Sequence, residues 1–165
     1  MEGTQATLDA LKQAIDLETK GHTFYLQAAE RVTDPKGAAM FRSLADDEVL
    51  HKNILNRQLE SLSGGQGWVL PEGADKVEVD LEAPLFPEGK EIDTAVQPDT
   101  SEMNALLFAI GIESDSFNLY AEQAKAAQDA SAKQIYEFLV SAERTHFNLL
   151  MLNYESLSTT GHWAD

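Results

Sequence analysis

FRSLADDEVLHKNILNRQLESLS, residues 41–63, and YEFLVSAERTHFNLLMLNYESLS, residues 136–158, are two copies of one pattern. They lie 95 residues apart and agree at nine of 23 positions without a gap. Leu44, Glu48, His51, Asn53 and Leu55 meet Leu139, Glu143, His146, Asn148 and Leu150, and Glu60-Ser61-Leu62-Ser63 meets Glu155-Ser156-Leu157-Ser158. The same shift sets Ala14-Ile15-Asp16-Leu17-Glu18 on Ala109-Ile110-Gly111-Ile112-Glu113, and Tyr25 on Tyr120. One shift that serves two separate segments argues for a duplicated unit with an approximate internal two-fold axis.

The unit is a helical hairpin. Apolar residues recur at spacings of three and four through Leu8, Leu11, Ile15, Tyr25, Ala29 and Val32, and again through Phe41, Leu44, Leu55 and Leu62. The second half repeats this with Met103, Leu106, Ile110, Phe117, Tyr120 and Ala124, then Tyr136, Leu139, Leu150 and Leu157. That period predicts four amphipathic helices, roughly 4–32, 35–62, 101–127 and 131–157. Asp34 is placed to cap the second helix, with Pro35 in its first turn. Short links make each pair an antiparallel hairpin, about 4–62 and about 101–157.

Between the hairpins, Gly64–Thr100 holds four of the five Pro, five Gly, nine acids and two Lys. It reads as a long, acidic, mostly irregular connection. A helix of about 27 residues is about 40 Å long, and this connection can return along all of it. The prediction is an all-α four-helix bundle with one long crossover at 64–100, the ferritin-like topology, as a single domain over 1–165.

Composition narrows the function. Twelve basic against 28 acidic residues give a net charge of −16, which argues against nucleic acid and against an anionic membrane surface. The absence of Cys excludes thiolate metal sites, iron–sulfur clusters and a Cys nucleophile. The apolar runs are too short to span a membrane, and Met1–Gln5 lacks an export signal, so a cytoplasmic protein is expected.

The chemistry lies where the apolar stripes are interrupted. Glu18 and His22 occupy core-rhythm positions of the first helix, Glu48 and His51 of the second, Glu113 of the third, and Glu143 and His146 of the fourth. Four isolated carboxylates facing a bundle core would cost several kcal/mol each or would have to be protonated. Two divalent cations balance four carboxylates, and Glu and His three apart on one helix face can reach one metal. One Glu-x-x-His pair is common on solvated helices; two in register, each with a Glu on the preceding helix, are not.

These residues resemble the ferritin-like di-iron carboxylate proteins, which take one Glu from each of two helices and a Glu-x-x-His from each of the other two. Within them the chain is similar to the rubrerythrin group over about residues 5–157, including a Tyr seven residues after Glu18 and after Glu113. The resemblance implies two iron ions per chain, with manganese as the alternative metal, held by Glu18, Glu48, His51, Glu113, Glu143 and His146. It implies a di-iron oxidoreductase that reduces hydrogen peroxide or O2. With no Cys for a rubredoxin domain, the electrons are expected from an external donor such as rubredoxin, and the assembly from a homodimer.

Rubrerythrins carry a further Glu three residues after the third-helix ligand. That position is Ser116 here, and its repeat equivalent is Gly21, so the six-residue set is closer to bacterioferritin. Two small residues there are expected to leave space beside the metals for a small oxidant. Tyr25 and Tyr120 are candidates to hydrogen-bond the carboxylates and supply protons or electrons, His22 is a candidate proton donor or further ligand, and Asp47 is placed to orient the His146 ring. The alternatives are a ferroxidase or other iron-handling protein, and a non-catalytic, metal-stabilised binding bundle. Metal content per chain, peroxide reactivity and particle size separate them.

Overall fold

The computed structural model describes residues 2–86 and 101–165. Helix α1 spans Glu2–Arg31, α2 Pro35–Ser63, α3 Glu102–Ala126 and α4 Ala130–Thr160, and no strand occurs among the described residues. Helix α1 packs on α2, α3 on α4, and α1 on α3, which makes the four-helix bundle that the apolar periods predict. Of the crossover 64–100, residues 87–100 lie outside the described residues.

The helix starts follow from side-chain caps. Asp34 Oδ1 accepts from Lys36 N at 2.8 Å, Asp129 Oδ1 from Ser131 N at 2.8 Å and Ala132 N at 3.1 Å, and Ser101 Oγ from Asn104 N at 3.2 Å. Each satisfies a first-turn N–H that has no partner within its helix. Helix α4 runs three residues past the predicted 157 and stops at Gly161, whose φ of 74° suits a residue without a Cβ.

The tail after α4 returns to the bundle. Trp163 lies so close to Gly37 that a Cβ there would sit 2.6 Å from the indole ring. The indole N–H donates to Glu102 Oε2 at 3.0 Å. One aromatic ring thus ties the ends of α2, α3 and α4 together.

The described part of the crossover is a strap rather than a free loop. Gln58 pairs with Val69 through both backbone groups, each at 2.8 Å. Trp68, Leu81 and Leu85 pack on one core cluster, Leu85 and Phe86 on the other, and Leu70 is exposed. Arg144 donates to Ala83 O at 3.0 Å and Pro84 O at 3.1 Å, and its guanidinium stacks 4.9 Å from the Phe117 ring centre.

The core is split in two. One apolar cluster includes Tyr25, Phe41, Leu106, Ile110, Phe147 and Leu150, and the other Leu11, Leu55, Tyr120, Ile135 and Leu139. On every helix the Glu and His residues singled out above fall between the two clusters in sequence, and therefore in height. A polar layer at mid-bundle separates two dry halves.

Candidate metal centre

Glu18, Glu48, His51, Glu113, Glu143 and His146 are all buried. Their ligand atoms gather into two overlapping groups, Glu18, Glu48, His51 and Glu143, and Glu48, Glu113, Glu143 and His146. Within each group the atoms lie within 4.8 Å of one another, so each could hold a metal ion. Glu48 and Glu143 belong to both. They come from α2 and α4, face each other across the bundle, and are equivalents in the repeat.

Both imidazoles turn Nδ1 inward. His51 Nδ1 lies 3.3 Å from Glu18 Oε2 and from Glu143 Oε1. His146 Nδ1 lies 3.6 Å from Glu48 Oε1 and 3.5 Å from Glu113 Oε2 and Glu143 Oε2. The rings stack with centres 5.4 Å apart. On the outer side, His146 Nε2 meets Asp47 Oδ2 at 3.1 Å, as the position of Asp47 next to Glu48 suggests.

The phenols cross between the halves. Tyr25 on α1 donates to Glu113 Oε1 on α3, and Tyr120 on α3 donates to Glu18 Oε1 on α1. Each tyrosine therefore engages one oxygen of the carboxylate and leaves Oε2 facing a histidine Nδ1. Burial and the neighbouring carboxylates, Glu113 for Tyr25 and Glu18 for Tyr120, push both phenols well above their ordinary range, so they stay protonated donors.

The cluster fits cations. Among the described residues, every buried side-chain N or O without a hydrogen-bond partner belongs to these residues, except the Tyr136 hydroxyl. They are Glu18 Oε2, Glu48 Oε1, Glu113 Oε2, both Glu143 oxygens and the two histidine Nδ1 atoms. Buried polar atoms are normally satisfied, and these are all oxygen and imidazole donors of the kind that divalent iron and manganese accept.

Without a cation the cluster must hold protons instead. Burial, followed by the charge of Glu143, pushes Glu48 up, and burial with the charges of Glu113 and Glu18 pushes Glu143 up. Burial also opposes charge on Glu18 and Glu113. For Glu18, contacts with His51, Glu48 and Tyr120 outweigh it; for Glu113, contacts with Glu143, His146 and Tyr25 do, so both are held below the ordinary carboxylate value. Burial disfavours imidazolium, but the adjacent carboxylates overcome it, raising His51 and carrying His146 to about 10.

Two nearby positions differ from expectation. The buried stripe of α1 passes through Leu11, Ala14, Glu18, Gly21, Tyr25 and Ala28, whereas His22 is half-buried and lies outside both groups. The small residue at 21 does not leave open space. A Cβ there would stand 2.8 Å from Glu48 Oε2, so the carboxylate already occupies the room that glycine leaves. Gly21 is thus a site residue the sequence pattern undervalued; its only signal was its equivalence to Ser116, which is buried as well.

Replacing either tyrosine tests the crossed pairing. Tyr25→Phe and Tyr120→Phe should each leave one buried carboxylate oxygen without its donor, at a cost of about 2 kcal/mol. In a chain of this size that lowers the melting temperature of the metal-free protein by roughly 4–8 °C. Similar losses in both variants are expected, because the repeat makes the two environments equivalent. No loss in either would show that the phenols do not hold the carboxylates.

Comparison with known proteins supplies the family. Neither curated proteins nor solved structures gave a match to this chain. A rubrerythrin family model matches residues 9–154, which takes in all six clustered residues and both tyrosines. With that match over nearly the whole helical bundle, the chain belongs to the rubrerythrin family.

Proposed function

We propose that the protein is a di-iron oxidoreductase that reduces hydrogen peroxide or O2 with electrons from an external donor protein such as rubredoxin. The observation that supports this reading is the pair of overlapping carboxylate–imidazole pockets that share Glu48 and Glu143. Glu18, Glu48, His51, Glu113, Glu143 and His146 would hold two iron ions, which would supply one electron each. Peroxide reduction to two waters takes up two electrons and two protons. Glu143 can face either pocket, because among the described residues neither of its oxygens has a hydrogen-bond donor. Tyr25 and Tyr120 hold the outer carboxylates in place and keep one phenolic proton at each edge of the cluster. The apolar clusters above and below keep bulk water from the layer.

Ferroxidase activity is the second reading. It is favoured by the lack of a further acid at 21 or 116, since a centre with one fewer carboxylate holds trivalent iron less firmly. Anaerobic loading with Fe2+ should bring about two ions per chain. Mixing the loaded protein with peroxide should then oxidise the iron, seen by absorption, with the metal retained after gel filtration. One ion or none per chain would overturn the di-iron reading. No reaction with peroxide, together with fast oxidation by O2 and loss of iron, would establish the ferroxidase.

A further inference from the structure

The internal repeat equates the two metal pockets, yet one contact breaks the symmetry. His146 Nε2 is hydrogen-bonded to Asp47 Oδ2 at 3.1 Å. The repeat equivalent of Asp47 is Ala142, whose methyl group accepts nothing. His51 and His146 otherwise match: both are buried, both present Nδ1 to two or three carboxylate oxygens, and both sit three residues after a shared Glu.

From this we infer that the two pockets load in order, and that Asp47 is the positioning residue that makes the His146 pocket fill first. The inference rests on the reading of the pockets as a metal centre. The chemistry is that of an imidazole whose outer nitrogen is held. A carboxylate that accepts from Nε2–H fixes the tautomer with its lone pair on Nδ1, fixes the ring against rotation, and makes Nδ1 a stronger donor. Losing such a partner typically costs 10–100-fold in metal affinity. Among the described residues the His51 ring has no such brace, so it must give up rotational freedom when a cation arrives. The charge of Asp47 also reaches His51, but only His146 donates a hydrogen bond to it.

The geometry makes the contact accessible to mutation. The Asp47 side chain is 43% exposed and the neighbouring helix surface is open, so its replacement leaves no cavity. Ala142, the repeat equivalent of Asp47, is half-buried rather than enclosed in the core.

Anaerobic titration of the metal-free protein with Co2+, read by visible absorption, tests the order directly. Wild type should bind two ions in separate steps, with affinities about 10–100-fold apart. Asp47→Ala should weaken the tighter step alone and bring the two together. Asp47→Asn retains an acceptor oxygen and should preserve most of the separation, which distinguishes orientation from charge. Ala142→Asp should strengthen the weaker step by giving His51 the missing partner. In the Co2+ form, the shifted ring N–H signal of one histidine should exchange slowly with water in wild type and quickly in Asp47→Ala. Two equal steps in wild type would overturn the ordered loading while leaving the metal centre intact. An equal loss in both steps, or none, in Asp47→Ala would also overturn it. Failure of wild type to bind Co2+ at all would remove the metal centre itself. If Asp47→Ala does not fold, the Ala142→Asp titration decides alone: an unchanged weaker step overturns the inference.

Discussion

The double variant Glu48→Gln with Glu143→Gln should be much more stable than wild type when both are metal-free, and should no longer hold two metals. In the folded metal-free protein both carboxyls are raised, by burial first and then by each other and by Glu18 and Glu113. A group whose folded pKa is raised contributes its full stability below the unfolded value near 4.5, and that contribution drains away as pH climbs. The loss is about 1.4 kcal/mol per pH unit for each group. His51 and His146, also raised, act in the same direction above about pH 6.5. Glu18 and Glu113 are lowered and oppose this only below about pH 4.5. The wild-type metal-free protein should therefore lose stability steadily from pH 6 to 9.

Glutamine keeps the shape and is neutral at every pH, and its amide can donate where the protonated carboxyl did. By pH 8 the two removed penalties, set against imperfect hydrogen bonding of the buried amides, leave a gain on the order of 5 kcal/mol. That corresponds to a rise in melting temperature of about 10–20 °C. The gain should be small at pH 5 and should grow with pH. A melting temperature unchanged or lowered at pH 8 would show that these carboxylates do not face one another in the core.

Loading of metal should release about four protons for each pair of ions at pH 6.5. At that pH, burial and mutual repulsion favour the protonated form of Glu48 and Glu143, and the adjacent carboxylates favour the charged form of both imidazoles, which makes the metal-free cluster close to neutral: two carboxylates against two imidazoliums. Two divalent ions against four carboxylates and two neutral imidazoles are neutral as well. The exchange is four protons for two cations, and burial of the layer forbids any large net charge in either state. Calorimetric titration in buffers of different ionisation enthalpy counts the protons. As pH rises past the imidazole values the count should fall toward two. Fewer than two at pH 6.5 would mean that the carboxylates were not protonated before metal arrived. Such a neutral exchange would let one site stay buried with or without metal.

How much of this was legible in the chain depends on the range of the interaction. Helix positions and caps are local: Asp34 followed by Pro35, and an apolar residue every three or four positions, act within one or two turns. The six clustered residues were legible for the same reason. A Glu and a His three apart fall on one face whatever surrounds them, and the 95-residue repeat says that both pairs face the same way. What the period could not give is the rotation of each helix by a fraction of a turn, or the height at which one helix meets the next. Rotation put Gly21 rather than His22 against Glu48, because a stripe of spacing three and four can drift by one residue until a neighbour fixes it. Height decided that Tyr25 reaches Glu113 and Tyr120 reaches Glu18, each across the bundle and not along its own helix. The seat of Trp163 on Gly37 and the grip of Arg144 on the crossover belong to the same class. They join residues far apart in the chain, and only the packing of complete helices brings such groups to within a few ångströms.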